Sequence, residues 1–141
     1  MPAETSTASV ELLRPRASAI GREVRIEAAP GVVLEGELTV PRHLARSRRL
    51  VVFANGLSSR RRNHRNRHAA RALNEAGVAT LLLDLLTPVE ETYLASVFDV
   101  ELLERRLVAA TRWLEHRPET AALAVEYHGA STAQAAARRA A

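Results

Sequence analysis

Three apolar runs constrain this chain more than any other feature: Leu50-Val51-Val52-Phe53-Ala54, Val78-Ala79-Thr80-Leu81-Leu82-Leu83, and Ala122 to Tyr127. Each has the length of a strand, and continuous runs of this kind fit strands covered on both faces. Stretches with helical spacing separate them. Arg65 to Ala76 places Ala69, Ala70, Leu73 and Ala76 on one face, and Gly77 closes it. Val97 to His116, ended by Pro118, sets Val100, Leu103, Leu107, Ala110 and Leu114 in one stripe. Strands alternating with helices require parallel pairing and right-handed crossovers.

Ahead of these runs, Val24 to Ala28 and Val32 to Val40 flank the turn signal Pro30-Gly31, which predicts an antiparallel hairpin. Pro41 to Arg49 and Thr87 to Ser96 read as connections, and Ser131 to Ala141 as a last helix. Residues 1–21 lack periodicity and are expected to form a flexible lead-in to one domain over 22–141. The predicted fold class is α/β: a mostly parallel sheet of about five strands, with flanking helices and an N-terminal antiparallel hairpin.

Composition narrows the chemistry. Aromatic residues make up 4% of the chain, so the core must be built from Val, Leu, Ile and Ala. There is no cysteine, which excludes disulfides and thiolate catalysis. All 20 basic residues are arginine, and the net charge of +4 is too small to indicate a partner. The first residues are polar, and no apolar run approaches the roughly 20 residues that span a bilayer. A cytoplasmic protein without a membrane partner is expected.

The segment with the most chemistry is Gly129-Ala130-Ser131-Thr132-Ala133, directly behind the third apolar run. It reads as a strand, a serine in a tight turn, then a helix, which is the layout of a nucleophile elbow. A serine at such an apex needs small residues two positions to either side. Gly129 meets that need, and Ala133 meets it with one extra methyl group. The helix N-terminus behind Ser131 would direct free backbone N–H groups at a developing oxyanion. The competing reading is an ordinary helix cap, a position for which serine is also preferred.

The chain also resembles a family. The segments Leu38-Thr39-Val40-Pro41, Val51 to Gly56, Arg65-Asn66-Arg67, Leu73 to Gly77, Thr80 to Thr87, Arg106 to Leu114 and Tyr127 to Thr132 are similar, in order, to the dienelactone-hydrolase-like branch of the α/β-hydrolases. The resemblance implies that Ser131 is the nucleophile and that the amides of Leu57 and Thr132 are the two oxyanion donors. It implies a small-molecule ester or lactone as substrate, no cofactor and no metal. There are departures. Asn55 stands where a His-Gly pair is common, and Ala133 replaces a glycine. The family's catalytic acid and histidine come from later strands, yet no Asp, Glu or His follows Ser131. The expectation is a truncated hydrolase-type domain whose activity is impaired.

Other residues were weighed for function. His43, His64, His68, His116 and His128 precede the serine, and none is expected to serve as its base. His64 and His68 have helical zinc-ligand spacing but no third ligand nearby in sequence. Ser58 to Arg67 holds five arginines with no interleaved aromatic residue, so a solvated loop is expected in place of a nucleic-acid site. Glu90-Glu91 reads as loop solvation. Without the family's later strands, Ala122 to Tyr127 becomes an open apolar edge, which predicts a homo-oligomer and offers a non-catalytic binding or assembly module as the alternative function.

Overall fold

The computed structural model describes residues 21–55, 64–93 and 99–129. They form a five-stranded sheet with a helix on each face. In chain order the elements are β1 (Arg22–Ala29), β2 (Val32–Thr39), β3 (Arg49–Asn55), α1 (His64–Glu75), β4 (Ala79–Asp84), a single 3-10 turn (Glu90–Thr92), α2 (Val100–Glu115) and β5 (Ala124–Gly129). The sheet order is β1-β2-β4-β3-β5. β3 pairs in parallel with β4 on one side and with β5 on the other. β1 and β2 form the expected antiparallel hairpin, and β2 joins β4 antiparallel, so the sheet is mixed.

The two glycines predicted to turn the chain do so with positive φ. Gly31, at +75°, follows Pro30 in the two-residue hairpin loop, the arrangement of a type II turn. Gly77, at +84°, ends α1. There Val78 N donates to Leu73 O (2.9 Å) and Gly77 N to Asn74 O (3.0 Å), which is a Schellman cap. Asn74, buried behind this cap, donates to Val78 O and to Thr80 Oγ1, both at 3.0 Å.

Each face of the sheet has its own core. The larger contains Ile26, Leu34, Leu38, Leu50, Val52, Leu81 and Leu83 from the strands, packed on Leu103, Leu107, Ala110 and Leu114 of α2. Those four α2 residues belong to the stripe read from the sequence. The smaller contains Phe53 and Leu82 against Ala70, with Val51, Ala69 and Leu73 alongside. Because β3 and β4 are covered on both sides, their sequences show no polar alternation.

Several bounds differ from the sequence reading, and some have a visible cause. α2 begins at Val100, where the Asp99 carboxylate caps it by accepting from Leu102 N (3.0 Å). β5 begins at Ala124, two residues late, because Leu123 N donates to Thr120 O and closes a turn first. The 87–96 connection contains the 3-10 turn. Among the described residues, no helix is long and apolar enough to cross a membrane. The expected lead-in over 1–21 lies outside the described residues except for Gly21, as does the expected helix from Ser131.

Candidate functional site at the carboxyl ends of the parallel strands

In a sheet of this kind, ligands bind beyond the carboxyl ends of the parallel strands. Here those ends are Asn55, Asp84 and Gly129. Asn55 pairs in register with Asp84, and Ala54 with Gly129. Ser131, Thr132 and Leu57 themselves lie outside the described residues. What is described is the platform from which their segments depart. In sequence, Leu57 and Thr132 each come three residues after the registered pair Ala54–Gly129, whose strands β3 and β5 are neighbours about 4.8 Å apart.

The platform is firmly built. Asn55 is 1% exposed, and its side-chain oxygen accepts from Asn66 Nδ2 (2.6 Å) in the first turns of α1. Its backbone oxygen accepts from Leu85 N (3.0 Å), joining the ends of β3 and β4. On β5, the Tyr127 hydroxyl donates to Thr111 Oγ1 (2.5 Å), whose own proton goes to Leu107 O (2.8 Å). That chain of hydrogen bonds ties β5 to α2.

A second cluster supports the segment after β4. Glu90 accepts twice from Arg106 of α2, from Nη1 at 2.8 Å and Nη2 at 2.6 Å. Its carboxyl is held down at about 2, mainly by the Arg106 hydrogen bonds and against the effect of burial. This corrects the reading of Glu90 as loop solvation. The signal was present in the sequence: Thr87-Pro88-Val89-Glu90 is a capping box, with Thr87 N donating to Glu90 Oε1 (2.9 Å) and Glu90 N to Thr87 Oγ1 (3.2 Å).

The five histidines are all exposed. His43 lies in the β2–β3 connection beside Gly77, and His116 follows the last residue of α2, so both are at the opposite end of the sheet. His116 Nδ1 donates to Arg112 O (2.6 Å). His128 is paired with Phe53, with ring centroids 5.3 Å apart in an edge-on contact. His64 and His68 lie on α1. Among the described residues, no group of three or more His, Cys, Asp or Glu side chains is placed to hold a metal ion. The arginine tract falls partly outside the described residues. Within α1, Arg67 pairs with Glu37 of β2 at 3.0 Å. β5 pairs only with β3 among the described residues. The edge is less apolar than expected: Ala124, Glu126 and His128 are exposed, while Val125 and Tyr127 are half-buried and pack against the core on the α2 side.

No family model matches the sequence. The structure is similar to a dienelactone hydrolase from Anabaena variabilis, with a TM-score of 0.77 and 42% identity, over 88% of this chain and 57% of that one. It also resembles an α/β serine hydrolase homologue from Coxiella burnetii, with a TM-score of 0.66 over 85% and 56% of the two chains; at 18% identity that likeness shows the fold alone. In sequence, 115 residues are 52% identical to a protein of two Mycobacterium tuberculosis strains, provisionally named a phosphoribosyl transferase. The match covers 82% of this chain and 25% of those proteins, so the chain spans about a quarter of the curated relatives' length. With its sheet order, a helix on each face and its likeness to the Anabaena variabilis enzyme, the chain carries part of an α/β-hydrolase fold and is similar over that part to dienelactone hydrolases.

Proposed function

We propose that this chain supplies the nucleophile-bearing part of a serine hydrolase acting on a small ester or lactone. Ser131 would attack the carbonyl carbon, and the amides of Leu57 and Thr132 would stabilise the resulting oxyanion. One observation carries the reading. Adjacent parallel strands β3 and β5 finish within one residue of each other, with Ala54 opposite Gly129, and the sequence that holds Leu57 and the sequence that holds Ser131 and Thr132 follow those ends. Donors so arranged contribute about 3–4 kcal/mol each to the barrier when they reach the oxyanion.

In this reading no residue of the chain is assigned as the base for that serine. No Asp, Glu or His follows Ser131 within the 141 residues, and the upstream histidines are exposed. We therefore expect the 141 residues alone to be an impaired catalyst, because a serine hydroxyl without a base is a weak nucleophile. No cofactor enters this reading. This chain spans about a quarter of the mycobacterial proteins that carry the phosphoribosyl transferase name, and that name does not enter this reading. The test is hydrolysis of 4-nitrophenyl acetate by the purified chain and by Ser131→Ala. A drop to the buffer rate in the variant supports the proposal, and equal rates in both proteins remove Ser131 from the mechanism.

A second reading, a non-catalytic assembly module, is favoured by the unpaired outer side of β5 among the described residues. A second copy of the chain would add a strand there. Light scattering at working concentration decides it: a folded monomer would sink the assembly reading.

A further inference from the structure

β1 closes the sheet at the end opposite β5, and among the described residues nothing pairs with its outer side. Its side chains divide between the two faces. Val24, Ile26 and Ala28 pack toward α2, while Arg25 and Glu27 are exposed on the other face. Arg25 stands opposite Glu35 of β2, yet among the described residues neither Arg25 nor Glu27 forms an ion pair. Two adjoining hollows, of about 490 and 480 Å³, run between β1 and α2. Ala28, Ala109 and Arg112 line both of them, with Val108 in the first and Trp113 in the second.

The unpaired backbone groups of an edge strand form a template for another strand, and charge and face decide which strand fits. β1 is complementary to itself. Antiparallel pairing with a second copy keeps the apolar residues on the covered face only if the two-fold axis passes through a residue and not between two. Centring on Arg25 or on Glu27 sets like charges against each other. Centring on Val24 leaves Ala28 and its hollows outside the paired stretch. Centring on Ile26 sets Arg25 against the second copy's Glu27, twice over by symmetry. It also brings the second copy's Val24 opposite Ala28, which lines both hollows. The paired stretch then runs from Glu23 to Ala29 and ends where the register against β2 shifts, between Glu27 and Ala29.

We infer that β1 pairs antiparallel with β1 of a second copy about a two-fold axis at Ile26, joining two five-stranded sheets into one. The inference is independent of Ser131 and concerns a different edge from the outer side of β5. Sedimentation velocity over a range of concentrations should find the wild type at twice the mass of one chain. Arg25→Glu should weaken association at least about tenfold, because attraction turns to repulsion at two symmetric positions. The double swap Arg25→Glu/Glu27→Arg should recover most of that loss, with circular dichroism checking that each variant is folded. Because the chain has no cysteine, the register can be read by cross-linking. Arg25→Cys mixed with Glu27→Cys and oxidised with diamide should give a disulfide-linked dimer holding one chain of each kind, at several times the yield of either variant alone. A folded wild type that stays monomeric at all concentrations overturns the inference and leaves the charged row as a guard that keeps the edge unpaired. A dimer that survives Arg25→Glu, is not recovered by the double swap, or forms no mixed cross-link also overturns it, and places association on another surface.

Discussion

Asn66 Nδ2 donates to Asn55 Oδ1 across 2.6 Å, fastening the first turns of α1 to the last residue of β3. Asn55 is almost wholly buried, so this contact fixes the corner from which the candidate oxyanion segment departs. Asn66→Ala should cost about 1 kcal/mol, measured by urea unfolding. If the corner also orients the Leu57 amide, ester turnover should fall further than the lost folded fraction explains. Turnover that simply follows the folded fraction would limit Asn66 to a structural role.

Two glycines share a left-handed backbone but differ in their surroundings. A Cβ on Gly77 would lie 2.7 Å from Ala45 N, which donates to Gly77 O, while a Cβ on Gly31 would meet nothing within 4 Å. Gly31→Ala should therefore cost about 1 kcal/mol from backbone conformation alone. Gly77→Ala should cost at least about 2 kcal/mol, since the β2–β3 connection must also shift. Equal midpoints for the two variants in thermal melts would contradict this account.

Acid should weaken the Glu90 anchor. The folded carboxyl is lowered from 4.5 to about 2. A depressed carboxyl contributes stability above its unfolded value, and that contribution fades as pH falls from about 4.5 toward 2. Allowing for solvent screening of a partly exposed group, the loss should be about 1–2 kcal/mol. Urea midpoints across this range should fall less steeply for Glu90→Gln than for the wild type. Parallel pH dependence in both proteins would show that Glu90 contributes no stability to the fold.

The hydroxyl chain from Tyr127 through Thr111 to Leu107 O should behave as a unit. Tyr127→Phe and Thr111→Val should each cost about 1 kcal/mol. The double variant should cost clearly less than their sum, because the two substitutions remove a shared contact. Strict additivity would mean that the contact contributes nothing measurable.

Much of the fold was legible in the chain. The unalternating runs at Leu50–Ala54 and Val78–Leu83 specified strands covered on both faces, and β4 is buried along its full length. The α2 stripe and the cap at Gly77 followed from spacing and from one residue's conformational freedom. These features are local, and local periodicity carries them. β5 was placed two residues early because the apolar letters at Ala122 and Leu123 say nothing of the turn that Thr120 closes.

The candidate site was legible only as a pattern. Gly129 and Ser131 could be named from their spacing, and Glu90 could have been recognised from Thr87 three residues before it. Its partner could not. Arg106 lies 16 residues further on, and although its spacing from Leu103 and Ala110 puts it on the buried stripe of α2, that spacing does not point to Glu90. By itself, then, the sequence determined the elements, their caps and the faces they bury, because these depend on neighbours a few positions apart. Only the tertiary structure decided that β4 inserts between β2 and β3, that Asn66 reaches Asn55, and that Arg106 meets Glu90. Those choices depend on which surfaces meet once the sheet has closed over its two cores, and the order of the letters does not encode that distance.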